Sequence, residues 1–569
     1  MFGAERVSLG VVVVLWGGAI AVVVTTLSAL LASASPFPWW DEWETVAEFG
    51  RVMTGSFRLA ELWAQHNEHR LLFPRLVFFA DYRFFSGMGV FTIATMLALQ
   101  GVHAIVLCRL ARGAGLRGGA WLAVTALIVA GLFSAIQIDN FAWPFQVQIF
   151  SVYLAASGAF AAAAAADGAR RAGTRVGAAV WLAVAVGLGF VGTFSLANGV
   201  FIWPILLLLC LRLGLPWRGV ALVAMAAGLS VALYAHGYHQ PGSGPRLAGL
   251  RDVPWILIFA CVYLGNVIGS GGPVVAGLVG AVGALLGAVL SAPGLLLRRP
   301  RVPAAEYALG SIVVFVLATA FITGAGRLSM GLDAALASRY ATPVLIFWSA
   351  LMAMLMCRAA ESSRPWIHLV CIVMMAYLFL RQGNPTVVGW ISAQRTKEMA
   401  GLALASEVYD AELLRGVYLD PKKVIDRAAI LRTFRLSFFA SETHRWLART
   451  LAQPVHSGTR CLGHFDGYTP VATEGGAPGG IVWGWAWDRD ARRPVKNIVL
   501  CDASRRVVGL ASGALERNDV QAVVREVPSR WTGWRGYAQA VDGPLIAYGV
   551  LGSEAALCDL GEWRTSADE

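Results

Sequence analysis

The chain has 569 residues, of which 57% are hydrophobic and 14% are charged, and its mean hydropathy is +0.61. Soluble domains carry about a quarter charged residues, so this composition excludes a cytosolic enzyme and a disordered chain and indicates a membrane protein. The net charge of +11 resembles that of nucleic-acid-binding proteins. Here, however, the basic residues form short clusters between apolar stretches, as topology determinants do. We therefore expect no nucleic acid among its partners.

The apolar runs predict about eleven membrane-spanning helices. A bilayer core about 30 Å thick needs roughly 20 apolar residues per helix, so we sought runs of about 17 or more. The sixth run is shorter, and the first is too long and too poorly followed by a cleavage site to be a signal peptide. The runs are residues 7–33, 89–108, 119–136, 145–166, 177–194, 199–211, 219–236, 274–297, 305–325, 341–357 and 366–381.

The basic residues predict the orientation, because Lys and Arg accumulate in cytoplasmic loops. The loops 137–144 and 195–198 contain neither residue, which places them outside and the amino terminus inside. The stretch 253–270 is apolar enough to span, but a full span there would move the next basic cluster outside, so we interpret it as a re-entrant or interfacial helix. The arginines assigned to the inner side are Arg6, Arg109, Arg112, Arg117, Arg170, Arg171, Arg175, Arg212, Arg218, Arg298, Arg299, Arg301, Arg358 and Arg364.

Three regions follow from this topology. Residues 1–381 form the transmembrane domain, which includes a long first outer loop at 34–88. Residues 382–457 are charged and helix-patterned, and residues 458–569 consist of short β-like runs separated by Gly, Pro and Asp turns, typical of a small β-sandwich. Both of these regions are expected outside. The predicted strands are Gly480–Trp487, Lys496–Cys501, Arg506–Leu510, Gly536–Ala540 and Ile546–Val550.

The cysteines of this outer region suggest one disulfide. Cys461 and Cys558 bracket the β region and would pair in an oxidising compartment, which leaves Cys501 as a buried thiol.

Adjacent acids follow the first apolar run, in the sequence WWDEW at 39–43. The tryptophans are explained by an interfacial aromatic belt. Asp41 and Glu42 are harder to explain in this way, because two adjacent acids cap a helix no better than one and ionised groups near the bilayer are costly. They are therefore the first candidates for a catalytic role.

A second polar cluster, HNEHR, occupies residues 66–70 of the same loop. On a helix, His66 and Arg70 would share one face, as would Gln65 and His69. A solvated turn would also explain the cluster, but apolar residues flank it on both sides, which favours a polar cavity lining. The candidate substrate-binding residues are His66, Asn67, Glu68, His69 and Arg70.

Two further outer loops supply candidates. Asp139 lies in the short loop QIDNFAWPFQVQ, close to the membrane surface, with Gln146 near it in the chain. Gln146 could equally form a hydrogen bond between helices. In the loop GRLSMGLDAALASRY at 326–340, Arg339 and Tyr340 adjoin the tenth run. An outer arginine runs against the positive-inside bias, and a phosphate or an acidic side chain would be an apt partner, although contact with bulk phospholipid is an equal alternative.

These features resemble the integral-membrane glycosyltransferases of the GT-C type, which take sugar from a polyprenyl phosphate on the extracytoplasmic side. The resemblance rests on Asp41-Glu42 after the first span, the long outer loop, many spans and an outer carboxy-terminal domain, over roughly residues 1–450. HNEHR and SRY resemble features of bacterial members, and 480–537 resembles a β-sandwich module appended to bacterial surface glycosyltransferases. The resemblance to GT-C glycosyltransferases implies a multi-pass protein of the bacterial inner membrane whose carboxy-terminal domain is periplasmic or extracellular.

The resemblance also implies a mechanism. Asp41 would act as general base on the acceptor hydroxyl, with inversion at the sugar, while Glu42, Glu68 or Asp139 orients the acceptor or holds a cation, and Arg70, Arg339 and a histidine neutralise the leaving phosphate. The partners are the polyprenyl-phosphate sugar, a glycan or lipid acceptor and membrane lipids. No DxD motif follows Asp139, so we expect no cofactor, with a divalent cation such as Mg or Mn as the open alternative.

Two other functions fit parts of the sequence. A transporter or lipid-carrier flippase for cell-envelope glycan precursors suits the many spans, although the acids gather on one face and no inverted repeat is visible. An assembly or polymer-binding protein is suggested by Trp483, Trp485 and Trp487, which alternate along one face of a predicted strand. These rings either fill the sandwich core, which we favour, or stack on sugars.

Overall fold

The computed structural model describes residues 7–240, 248–267, 272–295, 302–360, 366–447, 449–456, 460–552 and 556–564. The chain forms two compact units. The first takes its described residues from Met1–Ala34, Arg58–Phe78 and Phe91–Ile391, and the second takes them from Ser35–Phe57, Phe79–Val90 and Ser392–Glu569. The expected outer loop 34–88 is therefore shared between the units, since two of its segments group with the carboxy-terminal region.

The first unit consists mainly of apolar helices. A β-hairpin formed by β1 (Gln65–His66) and β2 (His69–Arg70) lies between α1 and α4 in the chain. The helices are α1 (Leu9–Ser33), α4 (Val90–Gly113), α5 (Gly118–Leu132), α6 (Ile138–Ala142), α7 (Val147–Arg171), α8 (Arg175–Thr193), α9 (Ile202–Arg212), α10 (Trp217–Ala235), α11 (Val253–Leu264), α12 (Gly272–Leu295), α13 (Ala304–Arg327), α14 (Ala341–Ala360) and α15 (Trp366–Leu380).

The structure supports a multi-pass membrane protein. Among the described residues, nine helical segments are long and apolar enough to cross a bilayer. The sixth predicted run also forms a helix, α9, but α9 has 11 residues and is shorter than a complete span. Of the eleventh run, residues Trp366–Leu380 form α15 in the part of the chain that the structure describes. The segments are Leu9–Ser33, Val90–Gly113, Gly118–Ala142, Pro144–Arg171, Arg175–Thr193, Trp217–Ala235, Gly272–Ala292, Ala304–Met330 and Ser338–Ala359.

The 253–270 stretch contains helix α11, which has only 12 residues. It would be about 18 Å long and is too short to span. Residues near both ends of α11 contact the end of the first unit that holds the loop 328–340. The amide N–H of Ala248 donates to Ala325, and the side chain of Asn266 donates to Ala335 and Ala337. This placement agrees with an interfacial helix.

Three of the arginines that the sequence assigns to the inner side form ion pairs at helix ends of the first unit. The buried carboxylate of Asp167 accepts hydrogen bonds from Arg170 at 2.6 Å and Arg171 at 2.7 Å at the end of α7. Arg358, at the end of α14, pairs with Glu306 at the start of α13. Arg6, Arg298, Arg299, Arg301 and Arg364 lie outside the described residues.

The second unit combines short helices with a β-sheet domain. Helix α2 (Glu42–Met53) shares an apolar core with α17 (Ala411–Val417) and α18 (Pro421–Phe434). At the close approach of α2 to α18, a Cβ added to Gly50 would lie 2.9 Å from the side chain of Ile430. Helices α3 (Leu72–Phe84) and α16 (Pro385–Ala405) contribute residues to both units. The remaining helix is α19 (Asn518–Val523), and a short strand, β3 (Val408–Asp410), pairs with β6 (Thr473–Gly476).

The carboxy-terminal β domain is one continuous sheet of nine strands. Its path runs β4-β13-β12-β9-β10-β11-β7-β5, with β8 paired to β7, and all five predicted strands are present in it. The sheet folds back on itself, so that a Cβ on Gly463 of β5 would lie 2.3 Å from the side chain of Leu560 of β13. The strands are β4 (Val455–His456), β5 (Cys461–Pro470), β7 (Gly479–Asp488), β8 (Arg493–Pro494), β9 (Asn497–Cys501), β10 (Val507–Leu515), β11 (Gly533–Gln539), β12 (Pro544–Leu551) and β13 (Ala556–Arg564).

The expected disulfide is confirmed in this domain. Cys461 of β5 is bonded to Cys558 of β13, which ties together strands that are 97 residues apart in the sequence. Cys501 is a buried free thiol, as predicted, and burial raises its pKa to about 12.

Candidate functional site

The HNEHR cluster forms the tip of the β1–β2 hairpin. His66 pairs with His69 and Gln65 pairs with Arg70, while Asn67 takes a left-handed backbone conformation with φ of 48°. Asn adopts this conformation more easily than most residues, which suits it to the turn. The helical pairing expected from the sequence is therefore wrong: His66 and His69 lie opposite each other on two short strands.

Arg70 holds the hairpin against the end of α10. Its guanidinium donates to the carbonyl oxygens of Tyr234 at 2.8 Å, Trp63 at 2.6 Å and His236. The carbonyls in the last turn of a helix lack intrahelical partners, and a cation there also complements the helix dipole. Since three carbonyls occupy this buried side chain, we remove Arg70 from the candidate phosphate-binding residues.

Glu68, His69 and Arg327 form a charged group beside the hairpin, which we call the hairpin cluster. Arg327, at the end of α13, contacts the Glu68 carboxylate at 3.1 Å, and Nε2 of His69 lies 3.7 Å from the same oxygen. Burial acts to raise the pKa of Glu68, but His69 and Arg327 outweigh it and leave that pKa below its usual value. The carboxylate is therefore ionised at neutral pH.

His69 is a neutral imidazole. The backbone N–H of Ala197 donates to its Nδ1 at 3.3 Å, so the ring proton is on Nε2, facing Glu68. Burial lowers the pKa of His69 to about 4, although the neighbouring Glu68 carboxylate acts in the opposite direction. Nε2 thus offers a single N–H beside the Glu68–Arg327 ion pair.

His66 lies against an aromatic group. Its ring centre is 5.3 Å from that of Phe145, which stacks on Phe78 at 5.6 Å. Nε2 of His66 is buried and has no hydrogen-bond partner among the described residues. A buried polar atom without a partner is uncommon, and it marks a position that a ligand or a water molecule would complete.

Asp139 is at the centre of a second group, which we call the Asp139 cluster. Its carboxylate accepts hydrogen bonds from Nε1 of Trp390 at 2.6 Å and from the hydroxyl of Ser338. The adjacent Asn140 donates to the backbone oxygen of Arg339 at 3.0 Å and to Thr342 at 2.7 Å. Both oxygens of Asp139 are thus engaged, and the cluster joins the loop after α5 to the start of α14.

Arg339 adjoins this cluster and keeps its hydrogen-bond donors available. Its guanidinium lies 5.2 Å from the ring centre of Tyr340, which in turn packs on Tyr263 at 4.7 Å. No hydrogen bond or ion pair of this guanidinium is found in the part of the chain that the structure describes. Gln146 is buried in the turn that precedes α7, and its role in substrate binding stays a prediction.

Asp41 and Glu42 belong to the second unit, at the first turn of α2. The Glu42 carboxylate accepts the backbone N–H of Trp39 at 2.6 Å, which is a local capping contact. Asp41 occupies the N-cap position but its side chain makes no capping hydrogen bond. Only one of the two adjacent acids is thus used for capping, as the sequence argument required.

The aromatic-belt interpretation of WWDEW is wrong for one of its tryptophans. Trp43 is fully buried and meets Phe37 edge to face at 5.4 Å in the apolar core of the second unit. Trp39 and Trp40 are half-buried. Trp40 has a positive φ of 49°, which places it at a tight bend immediately before Asp41.

Lys397 of α16 is a residue that the sequence argument missed. It is only 2% exposed, and its ammonium lies 4.8 Å from the ring centre of Trp39. Tyr82 of α3 is close to the same acids: burial raises its pKa, and the charges of Glu42 and Asp81 raise it further. We call Trp39, Asp41, Glu42, Tyr82 and Lys397 the WWDEW cluster. Lys397 could have been noticed in the sequence because lysine is rare in this chain.

The tryptophans of β7 do not lie in the main core of the β domain. The preferred interpretation, that their rings fill the sandwich core, is therefore wrong for the face of β7 that carries them. Val482 and Ala486 point into the core, and Trp483 and Trp485 lie on the opposite face, half-buried. Trp487 is buried in a small separate cluster with Val520 of α19. Sugar stacking on Trp483 stays a prediction.

The candidate residues thus form three groups. The hairpin and Asp139 clusters lie in the first unit, and the WWDEW cluster lies in the second. Among the described residues, no three His, Cys, Asp or Glu side chains are arranged to hold a metal ion. No protein-family model matches the chain, and no curated protein or solved structure gives a significant match. The functional argument therefore depends on the residues alone.

Proposed function

We propose that the protein is a membrane-bound glycosyltransferase, which transfers a sugar from a polyprenyl-phosphate donor to an acceptor hydroxyl on the extracytoplasmic side. The position of Asp41 carries the proposal. A carboxylate at the N-cap of α2, shortly after the first apolar helix in the sequence, suits a general base.

The reaction exchanges two bonds at the anomeric carbon. The acceptor oxygen attacks from one face of the sugar while the bond to the phosphate oxygen breaks on the other, which gives inversion. Asp41 takes the hydroxyl proton, and polyprenyl phosphate departs with the electron pair of the broken bond. Glu42 is the second acid of the pair, and its carboxylate accepts a hydrogen bond from the backbone N–H of Trp39 at 2.6 Å.

The leaving phosphate needs cationic or N–H donors. Within the first unit, Arg339 suits a contact with a phosphate, since its guanidinium donors are not engaged by other described residues and a guanidinium binds phosphate in a bidentate manner. Arg327 and the Nε2–H of His69 are further donors beside the unpartnered His66 nitrogen. The expected independence from metal ions stays a prediction.

A lipid-carrier flippase is the second candidate, and one feature favours it. Asn198 donates to Tyr153 at 3.3 Å and to Thr319 at 3.2 Å inside the helices, and its side-chain oxygen is buried without a partner among the described residues. Intramembrane polar groups of this kind often mark transport pathways.

The experiment supplies the purified protein with radiolabelled polyprenyl-phosphate sugars and a membrane extract as acceptor. Asp41→Asn should abolish transfer, whereas Asp426→Asn, an exposed acid of α18 in the same unit, should leave transfer unchanged. Full activity of Asp41→Asn contradicts the assignment of the base. Movement of the donor across sealed vesicles without any sugar transfer identifies the flippase instead.

A further inference from the structure

Lysine is rare in this chain, and one lysine occupies a buried position. Lys and Arg together number 46, but only four of these are lysines, and Lys397 is the only one among the first 421 residues. The other three, Lys422, Lys423 and Lys496, are exposed. Positive charge in this chain is thus carried mostly by arginine, and Lys397 is the buried exception.

Burial of this ammonium requires compensation. Lys397 is 2% exposed, and an ammonium removed from water is destabilised unless charges or dipoles replace the water. The face of Trp39, 4.8 Å away, supplies part of that compensation through a cation–π contact. An aromatic ring replaces only part of the lost hydration, so a nearby negative charge is the natural complement of this ammonium.

One acid contacts the same tryptophan. The backbone N–H of Trp39 donates to the Glu42 carboxylate at 2.6 Å, so Lys397 and Glu42 have Trp39 as a common neighbour. Asp41 is adjacent to Glu42 in the chain, and the charges of Glu42 and Asp81 both raise the pKa of Tyr82. In the second unit, Trp39 thus links Lys397 of α16 to the acids at the start of α2.

We propose that Lys397 is a positioning residue of the transfer site, whose ammonium balances the acids of the WWDEW cluster and fixes the bend that presents Asp41 to the acceptor. This inference rests on the proposed glycosyl transfer. Lys397 does not touch the reacting atoms, since its burial excludes direct contact with a substrate. Its loss therefore lowers the turnover number kcat and leaves the KM for the donor nearly unchanged.

The kinetic test compares three substitutions in the full-length protein. Lys397→Met should lower kcat about tenfold, equivalent to about 1.4 kcal/mol in the barrier, with little change in KM. Lys397→Arg keeps the charge and the contact with Trp39 and should recover most of that loss. Arg395→Met, an exposed position on the same helix, is the control and should retain full kcat. Equal losses in the Met and Arg variants would show a purely steric role and overturn the proposal, as would an unchanged kcat in Lys397→Met.

A second measurement needs no activity. Amine-selective acetylation followed by mass spectrometry reads the four lysines separately, and Lys397 should react far more slowly than Lys422, Lys423 and Lys496. The double substitution Asp41→Asn and Glu42→Gln removes the balancing acids, favours the neutral amine and should speed labelling at Lys397 alone about tenfold. Unchanged labelling overturns the charge balance. A further outcome is that neither the wild-type protein nor any variant transfers sugar while the double substitution still speeds labelling at Lys397. In that case the proposed function is wrong, and the electrostatic link between Lys397 and the acids is retained.

Discussion

The contact of Arg70 with the end of α10 gives a quantitative prediction. Arg70→Met keeps the length of the side chain and removes its donors to the carbonyls of Trp63, Tyr234 and His236. Each hydrogen bond from a charged donor contributes about 1.5–3 kcal/mol. The three sum to about 4–9 kcal/mol, and water entering the loop offsets part of this. We expect a loss of about 4 kcal/mol in the stability of the hairpin.

Two assays on the detergent-solubilised protein check this value. The thermal unfolding midpoint of Arg70→Met should fall by several degrees, and amide hydrogen exchange at residues 65–70 should accelerate by about three orders of magnitude, since 1.4 kcal/mol is tenfold. Arg58→Met is the control, because Arg58 is exposed and its ion pair with Glu61 spans 3.8 Å, so it contributes little. Wild-type exchange in Arg70→Met would refute this account of the hairpin.

Three further predictions concern stability. Gly280→Ala should destabilise the packing of α11 on α12 by about 1–3 kcal/mol, because its Cβ would lie 1.7 Å from the backbone oxygen of Cys261. Gly277→Ala on the same helix is the control: its Cβ would lie 3.4 Å from Val262, so the thermal unfolding midpoint should not change. The pKa of His69 is about 4 in the folded protein against 6.5 when unfolded, so its contribution is complete above pH 6.5 and is lost as the pH falls towards 4. The thermal unfolding midpoint should therefore fall less steeply between pH 7 and 5 in His69→Gln than in the wild-type protein. An equally steep fall in both proteins would exclude His69 as the source of the pH dependence. Removal of the Cys461–Cys558 disulfide, which closes a loop of 97 residues, should cost the β domain about 4–5 kcal/mol in denaturant unfolding, and an unchanged midpoint would contradict this.

Patterns that repeat along the chain were predictable. The long apolar runs became helices, and the alternating runs after residue 458 became strands, because hydrophobic periodicity is a local property. The pairing of Cys461 with Cys558 followed from their positions at the two ends of that domain. Even so, the sixth predicted span formed a helix of 11 residues, shorter than the bilayer requires, since an apolar run does not fix where a helix begins and ends.

The site was less predictable, because its contacts join residues far apart in the sequence. The sequence predicted Arg70 as a phosphate ligand, yet two of its three carbonyl partners, Tyr234 and His236, lie at the end of a helix, 164 and 166 residues away. The turn of the hairpin requires a left-handed conformation at Asn67, which a helical interpretation of HNEHR does not predict. Lys397 is far from WWDEW in the chain, and only the fold of the second unit reveals that it contacts Trp39.

The most direct test of the central claim measures sugar transfer by the purified protein. Membrane extract, radiolabelled polyprenyl-phosphate sugars and either wild-type protein, Asp41→Asn or Asp426→Asn are combined, and label in the acceptor fraction is counted. The account predicts transfer by wild-type and Asp426→Asn proteins and none by folded Asp41→Asn. Equal transfer by all three proteins, or transfer by none of them with any donor, would contradict it.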